Sequence, residues 1–141
     1  MDPMTPADAG SPESAPPRGT VLLVEEQQNV RTLLGKYLAE QGYAILEAKN
    51  ADEALTQCRA HKSPSINLMI CDLVMSEMNG VELAGRARSF HPRMKTLYLS
   101  AHSESSVIYR GIPLTDIQFL PKPFKLKELI STVNELLGHA K

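Results

Sequence analysis

Short apolar runs alternate with helix-periodic stretches five times along this chain, and that alternation restricts the fold more than any other feature. "TVLLV" (20–24) is a continuous run of the kind a strand needs when both of its faces are covered. Val30, Leu33, Leu34, Tyr37 and Leu38 then recur at i, i+3, i+4, i+7 and i+8, an amphipathic helix that Gly42 stops. "YAILEA" (43–48) reads as a second strand, and Ala51, Ala54, Leu55 and Cys58 as a second helix capped near Asn50 or Asp52. "INLMICD" (66–72) is a third strand. Val81, Leu83, Ala84 and Ala87 lie on a helix that starts after Gly80. "KTLYLS" (95–100), a weaker helical stretch at 104–110, "IQFLP" (117–121) and a closing helix through Leu126, Leu129, Ile130, Val133, Leu136 and Leu137 complete the series. Strands separated by helices predict right-handed crossovers and a parallel sheet covered on both faces.

The leader differs in kind. Residues 1–18 hold five of the ten prolines and almost no large apolar side chain. Such a stretch cannot bury enough surface to offset its ordering entropy, so it is expected to be a disordered leader or linker before a domain at 19–139. The chain of 141 residues is long enough for one stable core. A net charge of −1 advertises neither nucleic acid nor an anionic membrane, and no apolar run approaches a bilayer span. Cys58 and Cys71 sit in apolar patterns and read as partly buried thiols of a reducing, cytoplasmic setting. His61, His91, His102 and His139 show no ligand spacing and are expected at the surface. Met69, Met75, Met78 and Met94 read as packing residues.

A parallel sheet binds its ligand beyond the carboxyl ends of its strands, where the strand order reverses. The first strand here ends in Glu25-Glu26, the third in Asp72 and the fourth in Ser100, and the fifth is followed by Lys122-Pro123-Phe124. Each residue alone has an ordinary reading. Glutamates suit a helix N-terminus, an aspartate or serine suits a turn or cap, a lysine suits the solvated surface, and Phe119 suits the core. Their coincidence on one rim is what carries weight. Clustered carboxylates need a cation, and an all-oxygen set favours a hard ion such as magnesium, which keeps waters and uses one or two carboxylates plus phosphate oxygens. A lysine and a hydroxyl can hold phosphoryl oxygens, so the set equips Asp72 for in-line phosphoryl transfer.

With "VLLVEEQQNVR", "CDLVMSEMNG", "LYLSAH" and "FLPKPF" in place, residues 20–138 resemble a response-regulator receiver domain. "NGVELAGRARSFHPRMKTLYLSAHSES" is similar to receivers attached to hybrid sensor histidine kinases. The resemblance implies a flavodoxin-like (βα)5 three-layer α/β sandwich, its five-stranded parallel sheet in the order 2-1-3-4-5. It implies Asp72 as phosphoacceptor, Glu25 and Glu26 with Asp72 as the Mg2+ site, Ser100 as switch hydroxyl, Phe119 as switch aromatic, Lys122 as the phosphate-holding lysine, and a cis Lys122–Pro123 peptide. The implied partner is a histidine kinase or a histidine phosphotransfer protein. A homodimer through the face of the fourth helix, fifth strand and fifth helix is also implied, with no nucleic acid or membrane contact by this chain. The domain is expected to signal rather than to act as an enzyme, and no output domain is expected in it.

Three positions depart from the family pattern. Glu26 replaces the usual aspartate ligand, so its extra methylene is expected to weaken metal binding and slow phosphorylation. Ser76 stands where a proline is usual and is expected to loosen the loop after the third strand. Phe119 lacks the hydroxyl of the commoner tyrosine. The glutamate pair supports a second reading, a pseudo-receiver used as an interaction module. A flavin carrier is disfavoured because Glu25-Glu26 would repel the flavin phosphate, and a haloacid-dehalogenase-type phosphatase because position 74 is Val and Asp72 lies on the third strand.

Overall fold

The computed structural model describes residues 18–76, 78–100 and 118–139. Five strands, β1 (Thr20–Val24), β2 (Ala44–Ala48), β3 (Leu68–Asp72), β4 (Lys95–Ser100) and β5 (Gln118–Pro121), form one parallel sheet in the order β2-β1-β3-β4-β5. Helices α1 (Gln28–Glu40), α2 (Ala51–Ala60), α3 (Gly80–Ala87) and α4 (Leu126–Leu136) are interleaved with them. The helical stretch expected at 104–110 and the leader up to residue 17 lie outside the described residues. No helix among the described residues is long and apolar enough to cross a membrane.

Strand residues alternate between two cores. Leu22, Val24, Met69, Cys71 and Tyr98 pack with Ala51, Ala54 and Cys58 of α2 and Leu83, Ala84 and Ala87 of α3. Val21, Leu23, Leu68, Ile70, Leu97 and Leu99 face the other way, onto Leu34 and Leu38 of α1 and Leu129 and Val133 of α4. The period of 2 within a continuous apolar run is the mark of a strand covered on both sides. The helices are held differently. Asn50 and Asn79 cap α2 and α3 by accepting from the N–H groups of Glu53 and Glu82, both at 2.8 Å. Gln27 gives α1 no side-chain cap. A cap is worth about 1 kcal/mol, whereas full burial of a single leucine is worth roughly 2, so the packing of Leu34 and Leu38 more than compensates. Gly42 closes α1 at φ +102°, a backbone that favours glycine.

Two expectations about polar residues need correction. His91 is not at the surface: it is 2% exposed, its Nδ1 accepts from Ile66 N at 3.2 Å and its Nε2 lies 3.0 Å from the Cys58 carbonyl oxygen. The ring ties α2 to the segment entering β3, satisfying two buried backbone groups that would otherwise be costly. Both cysteines are free and fully buried rather than partly so.

The loop from Leu73 to Asn79 is shaped by Gly80. Its N–H donates to the Leu73 carbonyl at 2.7 Å, and Val74 and Asn79 form an isolated antiparallel bridge. A Cβ on Gly80 would meet the Asp72 carbonyl oxygen at 2.5 Å and the Cys71 sulfur at 3.1 Å. Glycine at this point therefore lets α3 start directly against the end of β3, with Asp72 at the lip of the loop. Gly80→Ala is expected to destabilise the protein by about 1–3 kcal/mol in urea unfolding, because the obstructing atom is backbone. Gly85, in the same helix, has nothing within 4 Å of a built Cβ, and Gly85→Ala is expected to stabilise by roughly 0.5–1 kcal/mol.

Burial pushes the Cys71 thiol up, and the neighbouring Asp72 charge pushes the same way; burial also raises Cys58, Tyr43 and Tyr98. The folded chain thus keeps protons that the unfolded chain releases. For the thiols this stabilisation is complete below their unfolded pKa of about 8.5 and is lost as pH rises above it, while the tyrosines add the same kind of loss only above about pH 10. Urea midpoints should fall between pH 8 and pH 10, less steeply in Cys71→Ala; a flat profile would count against these buried, protonated thiols.

Candidate functional site

The chain runs from β1 out to β2 and returns to β3 on the other side of β1, so the order reverses between β1 and β3. β1 and β3 pair as far as Leu23 and Ile70, and the carboxyl ends beyond them mark the switch point at which sheets of this kind place their ligands. Glu25 and Asp72 flank it.

Glu25 continues the β1–β2 ladder through its N–H to the Ala48 carbonyl at 3.0 Å, and its side chain is only 5% exposed. Oε2 accepts from Gln27 N at 2.9 Å, at the start of α1. The carboxylate thereby serves the helix N-terminus as the ordinary reading has it. Its other oxygen, Oε1, faces Lys122 Nζ at 4.0 Å. The Glu25 carbonyl accepts from an Arg31 guanidinium nitrogen at 2.7 Å, and Arg31 Nε lies 3.4 Å from Glu47 Oε1. Arg31 thus fastens the backbone beneath the acidic pair to β2.

Asp72 is the last residue of β3 and pairs with Leu99 of β4. Lys122 donates its backbone N–H to the Ser100 carbonyl at 2.8 Å, which prolongs the β4–β5 ladder by one step and fixes where its side chain begins. The Lys122–Pro123 peptide is cis. From there the ammonium reaches back across β4 to Asp72, Nζ to Oδ1 2.9 Å, a charge-assisted contact between two partly buried groups. Ser100 ends β4 and is 2% exposed. Phe119 pairs in register with Tyr98 and packs partly buried against the α2–α3 core.

The structure therefore brings Glu25, Asp72 and Lys122 together, with Ser100 joined to Lys122 through the backbone. Glu26 stands apart. It is exposed, and its Oε2 accepts from the Ser76 hydroxyl at 2.7 Å. Among the described residues no group of three or more His, Cys, Asp or Glu side chains is arranged to hold a metal ion. The donors that remain are oxygen-only, and the Glu25 and Asp72 carboxylates lie within 4.0 Å of one ammonium. Two carboxylates fit a magnesium ion, which completes its shell with water and phosphate oxygens.

Three contributors were not assigned a role from sequence. Arg31 is one helical turn into α1 and is visible only as the end of "VLLVEEQQNVR". The Gln27 N–H carries no side-chain signal. Ser76 was expected only to loosen its loop, yet its hydroxyl tethers the loop to Glu26, 50 positions away in sequence.

The model of the response regulator receiver domain matches residues 21–134. A stretch of 119 residues is 37% identical to the sensor kinase CckA of Brucella abortus (strain 2308), covering 84% of this chain and 12% of that protein. The response regulator receiver protein CpdR of the same organism is 30% identical over 117 residues, 83% of this chain and 95% of that protein. The chain thus spans a small part of the kinase but nearly all of CpdR. Among solved structures, the receiver domain from the hybrid histidine kinase CckA superposes with a TM-score of 0.70 at 30% identity, covering 84% of this chain and 99% of that one. The response regulator protein TrrA from Thermotoga maritima, in complex with Mg(2+)-BeF, superposes with a TM-score of 0.65 at 30% identity, covering 84% and 98%. These matches, with strand order 2-1-3-4-5 and the acid–lysine pocket at its switch point, settle the family: the chain belongs to the response regulator receiver domains of two-component signalling.

Proposed function

We propose that this receiver accepts a phosphoryl group on Asp72 from a phosphohistidine of a histidine kinase or histidine phosphotransfer protein. The observation that carries this reading is the Lys122 ammonium 2.9 Å from Asp72 Oδ1, with buried Glu25 beside it, at the switch point of the sheet. An Asp72 carboxylate oxygen attacks phosphorus, the P–N bond to the donor imidazole breaks, and the imidazole nitrogen leaves with the electron pair. An acyl phosphate is left on Asp72. Lys122 turns from the carboxylate to the incoming phosphoryl oxygens, and Ser100 holds another of them. Glu25 and Asp72, with Glu26 where its carboxylate can be recruited, would hold a magnesium ion, which supplies the positive charge that lets two carboxylates and a phosphoryl group share one pocket.

Drawing Ser100 inward makes room for Phe119 to rotate, and the surface around β5 and α4 changes with it. This is a shift between two packings, biased by phosphate contacts. The changed surface is the one through which a homodimer or an output partner would be selected. Two free cysteines, both buried, accord with action in the reducing cytoplasm. A net charge of −1 gives no electrostatic footprint for nucleic acid.

One observation favours the second reading, a pseudo-receiver with weak or lost phosphorylation: the Glu26 carboxylate is engaged by Ser76 rather than gathered with Glu25 and Asp72. Incubation with a small phosphodonor and Mg2+ separates the two. The wild-type chain should be labelled and Asp72→Asn should fall to background; equal labelling of both would remove Asp72 as the acceptor, and none in either would leave the interaction module. Glu26→Asp, which restores the shorter ligand, should tighten Mg2+ binding severalfold in a calorimetric titration.

A further inference from the structure

We infer that Ser76 is a positioning residue that withholds Glu26 from the metal site, so that magnesium must compete with a hydroxyl for this carboxylate. The inference rests on the magnesium-dependent phosphoacceptor reading and goes beyond it by naming what sets the affinity.

Both ends of the Ser76–Glu26 hydrogen bond lie next to backbone that is held by hydrogen bonds. On one side, the residue before Glu26 is pinned through its N–H to Ala48 and through its carbonyl to Arg31. On the other, Ser76 lies within a loop closed by the Gly80 N–H to Leu73 carbonyl bond and by the Val74–Asn79 bridge. At 2.7 Å from a carboxylate oxygen, the hydroxyl makes a charge-assisted bond, stronger than one between neutral groups. Exposure of both residues lets water compete, which keeps the effect small enough to reverse.

The contact has a direction. Glu25 and Asp72 face Lys122, while Glu26 faces the loop, and no three acidic groups meet among the described residues. The glutamate carboxylate reaches the hydroxyl at position 76, and a proline there would offer no hydroxyl to meet it. The two departures from the family pattern in this pocket are thus bonded to each other. Together they make a latch: Glu26 has to leave Ser76 before it can serve a cation.

Ser76→Ala removes the hydroxyl without changing any charge, so any change in affinity reports the latch and not the field of the pocket. The measurement is a Mg2+ titration of the whole chain followed by backbone amide shifts, independent of phosphorylation. Ser76→Ala should bind Mg2+ about three- to tenfold more tightly than wild type, and Ser76→Thr, which keeps a hydroxyl, should stay near wild type. In a Glu26→Ala background, Ser76→Ala should have no effect. Equal or weaker binding by Ser76→Ala overturns the latch, as does an undiminished gain in the Glu26→Ala background. Phosphodonor labelling of the same samples reads the parent proposal separately. Labelled wild type with no change in Ser76→Ala affinity rejects the latch alone. Unlabelled wild type with tighter binding by Ser76→Ala rejects the phosphoacceptor reading and leaves the latch standing.

Discussion

Burial of the central strands on both faces is the constraint from which the site follows. Val21 to Val24 and Leu68 to Cys71 are all buried, so a charge anywhere within those runs would be stripped of water without a partner. Charge is confined to where the strands end. Because the strands are parallel, all of those ends emerge on one rim, and the strand order sets the two ends richest in acid, those of β1 and β3, side by side. Glu25 and Asp72 are therefore neighbours by topology. Lys122 joins them because β5 ends on the same rim, one strand beyond β4.

The pocket's charge explains why it needs help before it can take an anion. Two carboxylates against one ammonium leave it negative. Phosphorylation would replace the single charge of the Asp72 carboxylate with about −1.5 to −2 on the acyl phosphate, partly buried and beside Glu25. One lysine cannot offset that, and in a partly desolvated crevice the repulsion is far less screened than in bulk water. A divalent cation is the economical remedy. How easily the pocket recruits one then depends on how many carboxylates are turned towards it. On the proposed reading, the orientation of Glu26, a single exposed side chain, then bears on how the domain takes up its cation.

Most of the architecture was legible because it is written in period. The runs at 20–24 and 95–100 coincide with β1 and β4, while Ile66 and Asn67 precede β3 rather than belong to it. Helix α4 was equally plain, since its apolar residues recur over three turns. Gly80 was legible only as the residue before a helix, and its close approach to the Asp72 carbonyl came from the fold. What escaped is long-range and singular. His91 has no periodic neighbour to announce that its ring will bridge Ile66 and Cys58. Ser76 and Glu26 lie in different loops, and neither sequence neighbourhood points to the other. A residue read by itself defaults to its commonest environment, and these two contacts depart from it because a partner distant in the chain is held nearby.

The distribution of packing also bears on how a signal at Asp72 could be read out. β1 is buried along its whole length and β3 along all but its last residue, so displacing either would disrupt both cores. β5 is an edge strand of four residues, exposed at both ends and partly buried between them. Moving it sacrifices little apolar burial. At roughly 2 kcal/mol for each large side chain fully removed from cover, a rearrangement confined to β5 stays within what phosphate contacts can offset, and one that opened β1 or β3 would not. Lys122 and Ser100 stand at the junction, joined to each other by a backbone hydrogen bond and, through the lysine's ammonium, to Asp72. On the proposed phosphoacceptor reading, the buried centre of the sheet fixes the chemistry and its thinnest edge is the part left for that chemistry to move.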